Sequence, residues 1–275
     1  MKTFPAWDIS PQQVKDFERD GVVYLPSLFD DTWVDLLRAG VDRNLAHPGP
    51  NGHDIRREDA ARRFFEDAFV WPSIPEYRTF LFDSHAAEVA GELMQSEKVS
   101  LFFDNVFVKD VGSHAPTPWH QDLPAVSMAG RMLSLWIALD PIPKSDSLEL
   151  VRGSHRWGEG YIPIRFSNLE EKTGFDDKSL LPSPDFDACR DSLDIVSWDM
   201  RAGDAIVFDG MTLHGSGENT TDTRRRAYSV RFGGDGAVYL PKGPASFPKF
   251  RDRAVRPGDA LGSDTFPLLW KRVKV

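Results

Sequence analysis

From residue 98 onward the chain is written in short apolar or alternating runs separated by Gly, Pro and Asp: "VSLFFDNVFVKD", "RMLSLWIALD", "SLELVRG", "LDIVSWDM", "DAIVFDG" and "RRAYSVRFGG". Runs of this length with period-two patterning read as β-strands, and their spacing is that of a sandwich or barrel. A strand with one apolar face must bury it against another sheet, so the expected class is mainly β, an antiparallel sandwich or jelly roll. Residues 157–193 interrupt the series. That stretch is too long for a plain turn and reads as a lid or insert of functional origin.

Helical signals precede the strands. Ser10 followed by Pro11 is an N-cap with proline in the first turn, and the stripe begun by Val14 and Phe17 ends at Asp20-Gly21. "GVVYLPSLF" reads as a strand. Asp30 caps a second helix in which Trp33, Leu36, Leu37, Val41 and Leu45 keep a helical period. Residues 47–54 form a loop, "RREDAARRFF" a solvated helix face or a mobile cover, and residues 84–96 a third helix. The expected organisation is one domain over 1–275: a helical part to about 98, a β core over about 99–235 with its insert near 157–193, and an extension over 236–275. Phe266, Leu268, Leu269 and Trp270 give that extension an apolar face for the barrel or for a second copy, which leaves room for a homo-oligomer.

The net charge of −9 argues against nucleic acid and against an anionic membrane surface as partners. The lone cysteine, Cys189, excludes a disulfide framework. The opening "MKTFPAWDISPQQ" lacks the apolar centre of a signal peptide, and no run approaches membrane-spanning length. The expectation is a cytoplasmic protein acting on a small molecule.

"PTPWHQDLP" sets His120 and Asp122 two residues apart beside Trp119, so on an extended strand both project to one face. Each has a structural reading: His120 as a hydrogen-bonded, half-buried histidine, Asp122 as a turn cap ahead of Pro124. The order of the parts carries more than the pair does. About ninety residues later His214 follows the strand "DAIVFDG", and an arginine-bearing strand comes next. Two histidines and a carboxylate with the remaining positions open suit non-haem Fe(II), whereas a closed structural zinc site takes four ligands richer in sulfur.

"PWHQD", "LSLWIALDPI", "LELVRGSHRWG", "GDAIVFDGMTLHGSGEN" and "RRAYSVRF" resemble, in order and over roughly residues 10–235, the successive blocks of the phytanoyl-CoA dioxygenase family. The resemblance implies a double-stranded β-helix, cupin-like, carrying Fe(II), with 2-oxoglutarate and O2 as cosubstrates. It implies that His120, Asp122 and His214 bind the metal and that Arg225 takes the far carboxylate of 2-oxoglutarate, with Arg226 as fallback. A guanidinium suits that carboxylate because it offers two coplanar donors. Strand alternation puts Arg225, Ala227, Ser229 and Arg231 on one face, and the small residues leave room for a ligand. Ser216 and Trp136 match further cosubstrate contacts, Trp136 reading equally well as a core aromatic. Asn105 matches a contact to the metal-bound end of 2-oxoglutarate, although by themselves Asn105 and Lys109 read as polar residues on a strand's outer side.

Asp122 implies hydroxylation, since related halogenases carry a small residue there to admit halide. The expected substrate is a small polar or amphiphilic metabolite held by cover segments 47–66 and 157–190, with Trp119, Trp157 and Arg131 as suggested neighbours. A coenzyme A thioester is disfavoured by the acidic balance, though Arg56, Arg57, Arg62, Arg63, Arg152, Arg156 and Arg165 keep it open. The alternatives are desaturation or C–heteroatom cleavage by the same iron chemistry, or a non-catalytic cupin-like binding protein. His155 reads as part of a structural turn, and His47, His53, His85 and His114 lack an acidic partner at ligand spacing.

Overall fold

A computed structural model of the chain describes residues 8–55, 63–113, 115–166, 169–248 and 255–273. Helix α1 (Pro11–Asp20) starts where the sequence places it: the Ser10 hydroxyl accepts from Gln13 N while Ser10 N donates to the Gln13 side chain at 2.8 Å, a capping box. Strand β1 (Val22–Leu25) follows, then α2 (Asp31–Ala46), opened by the Asp30 side chain accepting from Trp33 N. Strands β2 (His53–Asp54) and β3 (Phe64–Ala68) lead into α3 (Pro75–Asp83) and α4 (Ala86–Met94).

The β-rich part contains β4 (Lys98–Lys109), β5 (Thr117–His120), the single turn α5 (Asp122–Ala125), β6 (Met128–Ala129), β7 (Met132–Ala138), β8 (Leu148–Val151), β9 (Ile195–Val196), β10 (Ala205–Asp209), β11 (His214–Ser216), β12 (Arg225–Gly233), β13 (Val238–Tyr239) and β14 (Leu268–Lys271). The larger sheet runs β1-β10-β7-β12-β4-β3-β2, with β14 also on β4; the smaller runs β5-β11-β8-β9. Pairing within both is antiparallel, giving the jelly roll the strand spacing predicts.

Both faces of the larger sheet are covered. On one, Val106, Leu135, Val207, Tyr228 and Val230 pack against Leu37, Tyr77, Phe80 and Leu93 of the helices. The opposite residues, among them Phe103, Asn105, Phe107, Trp136, Phe208 and Ser229, line the interior. Asp104 ties the two layers, accepting from Tyr228 Oη at 2.8 Å and from Val70 N at 2.9 Å. Burial pushes its carboxyl up to about 6, against the pull of those bonds.

One expectation needs correcting, and one element is added. The end of "RREDAARRFF" is no helix face: residues 56–62, with Arg56, Arg57 and Arg62, lie outside the described residues, as does His114, but Phe64 and Phe65 are buried in β3. Helix α3 is an addition, with Tyr77, Phe80 and Leu81 as its buried face. The C-terminal segment docks on the chain's own sheet. β14 pairs with β4, Phe266 stacks on Phe102 at 4.9 Å, and Trp270 lies so close to Gly91 that a Cβ there would meet its ring at 2.3 Å. No helix among the described residues is long and apolar enough to cross a membrane.

Candidate active site

β5 and β11 are hydrogen-bonded neighbours whose register pairs His120 directly with His214, bringing the two rings to 4.2 Å. Asp122 opens the turn α5 immediately after β5, so its carboxylate swings under both rings. His120 Nδ1 lies 2.8 Å from Pro118 O and His214 Nδ1 lies 2.9 Å from Thr212 O. A carbonyl only accepts, so each Nδ1 carries the proton and each Nε2 presents a lone pair. These Nε2 atoms stand 3.7 and 3.9 Å from Asp122 Oδ1, too far for hydrogen bonds. Ligand atoms of the three side chains lie within 4.8 Å of one another. Three lone-pair donors thus face each other with no proton between them, an arrangement that fits a divalent cation.

Protonation favours the same state. Burial, with His214 alongside, lowers His120 to about 3, and burial also lowers His214. Burial alone raises Asp122, but Arg231, the two histidines and the Ser134 hydroxyl hold it well below the usual carboxylate range. A pH dependence follows. The unfolded chain protonates His120 from its ordinary 6.5, so below that pH the unfolded state binds more protons and stability is lost as pH falls toward 3. Melting of metal-free protein is expected to drop between about pH 7 and about pH 5, less steeply in His120→Asn. An unchanged slope in the variant means that the buried imidazole titrates normally.

A cavity of about 500 Å³ opens over the triad. At one end Arg225, buried, donates through Nη1 to Asp146 O and through Nη2 to Ser216 Oγ at 3.2 Å. Lys109 Nζ reaches the same hydroxyl at 3.3 Å and Gly217 O at 2.8 Å. Two cations therefore converge on one hydroxyl, as a carboxylate pocket requires. Midway, Ser229 Oγ is buried with no partner among the described residues, level across the sheet with Asn105 and Trp136. An orphaned hydroxyl on a cavity wall calls for a ligand acceptor or donor.

The structure thus gathers His120, Asp122, His214, Arg225, Ser216, Trp136 and Asn105 around one space. Arg226 faces the helices and is held by Asp140 at 2.7 Å, which removes it as the fallback. Asn105 and Lys109 are not on an outer side: both are buried facing inward. Trp119, Trp157 and Arg131 lie outside the cavity's lining, Trp119 being bonded to Asp187 at 2.9 Å beneath the insert. His155 keeps its structural role, with Nε2 3.2 Å from Glu18 O.

Several residues of the site carry no sequence motif. Arg231 donates from Nε and Nη2 to Asp122 at 3.2 Å each and from Nη1 to Asn105 Oδ1 at 2.5 Å. Ser134 donates to Asp122 Oδ2 at 2.6 Å. Together they fix the carboxylate's plane. Its parity with Arg225 on β12 was the available signal for Arg231. Phe166, from the insert, stands edge-on to His120 at 5.2 Å. Glu66 and His53 enter from β3 and β2, and Phe247 from the C-terminal extension.

Residues 17–227 match the family model described as Phytanoyl-CoA dioxygenase (PhyH). A phytanoyl-CoA dioxygenase of Arabidopsis thaliana is 30% identical over 158 residues, 57% of this chain; the match spans about half, 52%, of that protein's length. An ectoine dioxygenase of Stutzerimonas stutzeri (strain A1501) is 28% identical over 251 residues, 85% of this chain and 80% of that one. Among solved structures, the epimerase SnoN in complex with Fe3+, alpha ketoglutarate and nogalamycin RO superposes with a TM-score of 0.72 at 25% identity, covering 94% of this chain and 98% of that one. With its β-helix, its His-Asp-His cluster and this match, the chain belongs to the phytanoyl-CoA dioxygenase family and is an Fe(II)- and 2-oxoglutarate-dependent oxygenase.

Proposed function

We propose that the chain, as one oxygenase domain, hydroxylates an unactivated C–H bond of a small polar or amphiphilic metabolite. The observation that carries this reading is the facing of three unprotonated donors toward a pocket lined at one end by the Arg225 guanidinium and the Ser216 hydroxyl, with Lys109 bonded to that hydroxyl. In it His120, Asp122 and His214 hold iron, while Arg225, with Ser216 and Lys109, takes the far carboxylate of 2-oxoglutarate. Ser229, Asn105 and Trp136 line the space between. When bound, iron supplies the coupling of 2-oxoglutarate decarboxylation, giving succinate and CO2, to oxygen insertion.

The protein's own share is positional. Arg231 and Ser134 keep Asp122 ionised and oriented. Phe166 and Phe208 pack on the His120 and His214 rings, and Phe64 and Phe107 line the same cavity. The carboxylate at position 122 favours hydroxylation over halide transfer. Asn51, His53 and Ile55 from one cover segment and Ile164, Phe166 and Lys172 from the other contribute to the substrate wall.

Succinate release from 2-oxoglutarate under air with Fe(II) and ascorbate is the expected activity, with His120→Ala abolishing it. A binding protein without turnover gives none in either form. With a substrate in hand, a product heavier by one oxygen supports hydroxylation; loss of two hydrogens assigns desaturation instead.

A further inference from the structure

The cavity has a second polar centre, linked to Asp122 through Asn105 and Arg231. Glu66 sits in the middle of β3, opposite His53 on β2 and Phe107 on β4, and all three face inward. Its carboxylate accepts one hydrogen bond, from Asn105 Nδ2 at 3.3 Å, and has no cation at ion-pair distance among the described residues. Lys172 joins the same wall from the insert. There Lys172 N donates to Pro163 O at 2.7 Å and Ile164 bridges Glu171, a hairpin that also lays Phe166 on His120. The Lys172 ammonium likewise has no ion-pair partner among the described residues.

Two neighbouring carboxylates are matched, while the guanidinium of Arg165, which lines the cavity beside Lys172, donates only to the Thr173 hydroxyl at 3.3 Å among the described residues. Asp122 has Arg231, and Asp54 has Arg63 at 2.5 Å. Glu66 and Lys172 are half-buried and untouching; burial raises the one and lowers the other, with His53 and then Lys172 drawing Glu66 back through space and Glu66 drawing Lys172 back. Beside them Ile55, Phe64, Phe107 and Phe166 form an apolar cluster close to the triad. A charge kept partly from water without a partner is costly. A ligand carrying one charge satisfies one pole and strands the other; a ligand carrying both satisfies the pair.

We propose that Glu66 and Lys172 are the two poles of the primary-substrate site, which takes a dipolar amphiphile. Its ammonium meets Glu66, its anionic group meets Lys172, and its apolar body lies against Phe64, Phe107 and Phe166. This rests on the oxygenase reading of the cavity and narrows the substrate class within it.

The test uses iron-loaded protein with 2-oxoglutarate in the absence of O2, and probes in matched sets of four on one apolar body. For phenylalanine, tryptophan and cyclohexylalanine these are the free amino acid, its N-acetyl derivative, its carboxamide and the decarboxylated amine. Binding is read by calorimetry and by perturbation of the metal-centred visible spectrum. In at least one set the zwitterion is expected to bind about tenfold or more tighter than its singly charged relatives. Glu66→Gln, which preserves shape and the Asn105 contact, removes the preference over the N-acetyl derivative. Lys172→Gln removes the preference over the carboxamide.

Equal binding within every set, no binding in any set, or an ammonium preference surviving in Glu66→Gln overturns the proposal. So does an undiminished zwitterion preference in Glu66→Gln/Lys172→Gln, which carries neither pole. Failure of the wild type to bind 2-oxoglutarate or to release succinate sinks the oxygenase reading instead.

Discussion

Asp122→Ala is expected to lose metal binding and, in the metal-free protein, about 3 kcal/mol of stability. The two losses have different causes. In halide-free buffer metal binding goes because the two imidazoles lose their anionic third donor. Stability goes because Arg231, buried with its side chain 8% exposed, loses both bonds to the carboxylate and keeps the Asn105 hydrogen bond and the Phe103 ring, neither of which carries a negative charge. Truncating one partner of a buried ion pair leaves the other charge without compensation, while replacing both by apolar groups is often tolerated. Asp122→Ala/Arg231→Leu therefore recovers most of the unfolding free energy and none of the metal affinity. Urea denaturation of apoprotein and Co(II) titration separate the effects; Asp122→Ala binding Co(II) within about tenfold of wild type removes Asp122 from the metal site.

Arg225→Ala is expected to raise the KM for 2-oxoglutarate about a hundredfold, with kcat at saturation much less affected. The guanidinium is held before any ligand arrives, by Asp146 O and the Ser216 hydroxyl, so little ordering remains on binding. Burial brings Arg225 down to about 10, with Asp146 opposing, and it stays cationic at neutral pH. Lys109 is the second cation on the same hydroxyl, so Arg225→Ala keeps residual affinity that Arg225→Ala/Lys109→Met loses. A KM within about threefold of wild type in Arg225→Ala places the far carboxylate elsewhere.

How far the sequence speaks for itself varies by element. On β12 the alternation of small and charged residues with Tyr228 and Val230 separates the two faces, and the structure gives those faces. Asn105 and Lys109 mislead because a sandwich strand is expected to wet its polar side. Here helices cover one face and the catalytic chamber occupies the other, so polar residues on β4 are interior ones. Glu66 is hidden by its setting: the charged run before "FFEDA" suggests a solvated helix, and only pairing with β4 reveals a strand. The metal triad is legible because its residues fall at strand ends within a recognisable order of blocks. Lys172 carries no comparable mark, since its place depends on how a long irregular insert folds back.

β12 carries Arg225, Ser229 and Arg231 on one side and Tyr228, Val230 and Phe232 on the other. A slip of this strand by one position turns every one of these side chains to the wrong side at once. Anchoring of the cosubstrate, support of the ligand carboxylate and the greasy layer beneath the helices thus share a single alignment. Folding quality control and chemical competence coincide here: a molecule in which β12 has zipped out of step lacks both cohesion and activity, and does not persist as a stable, silent impostor.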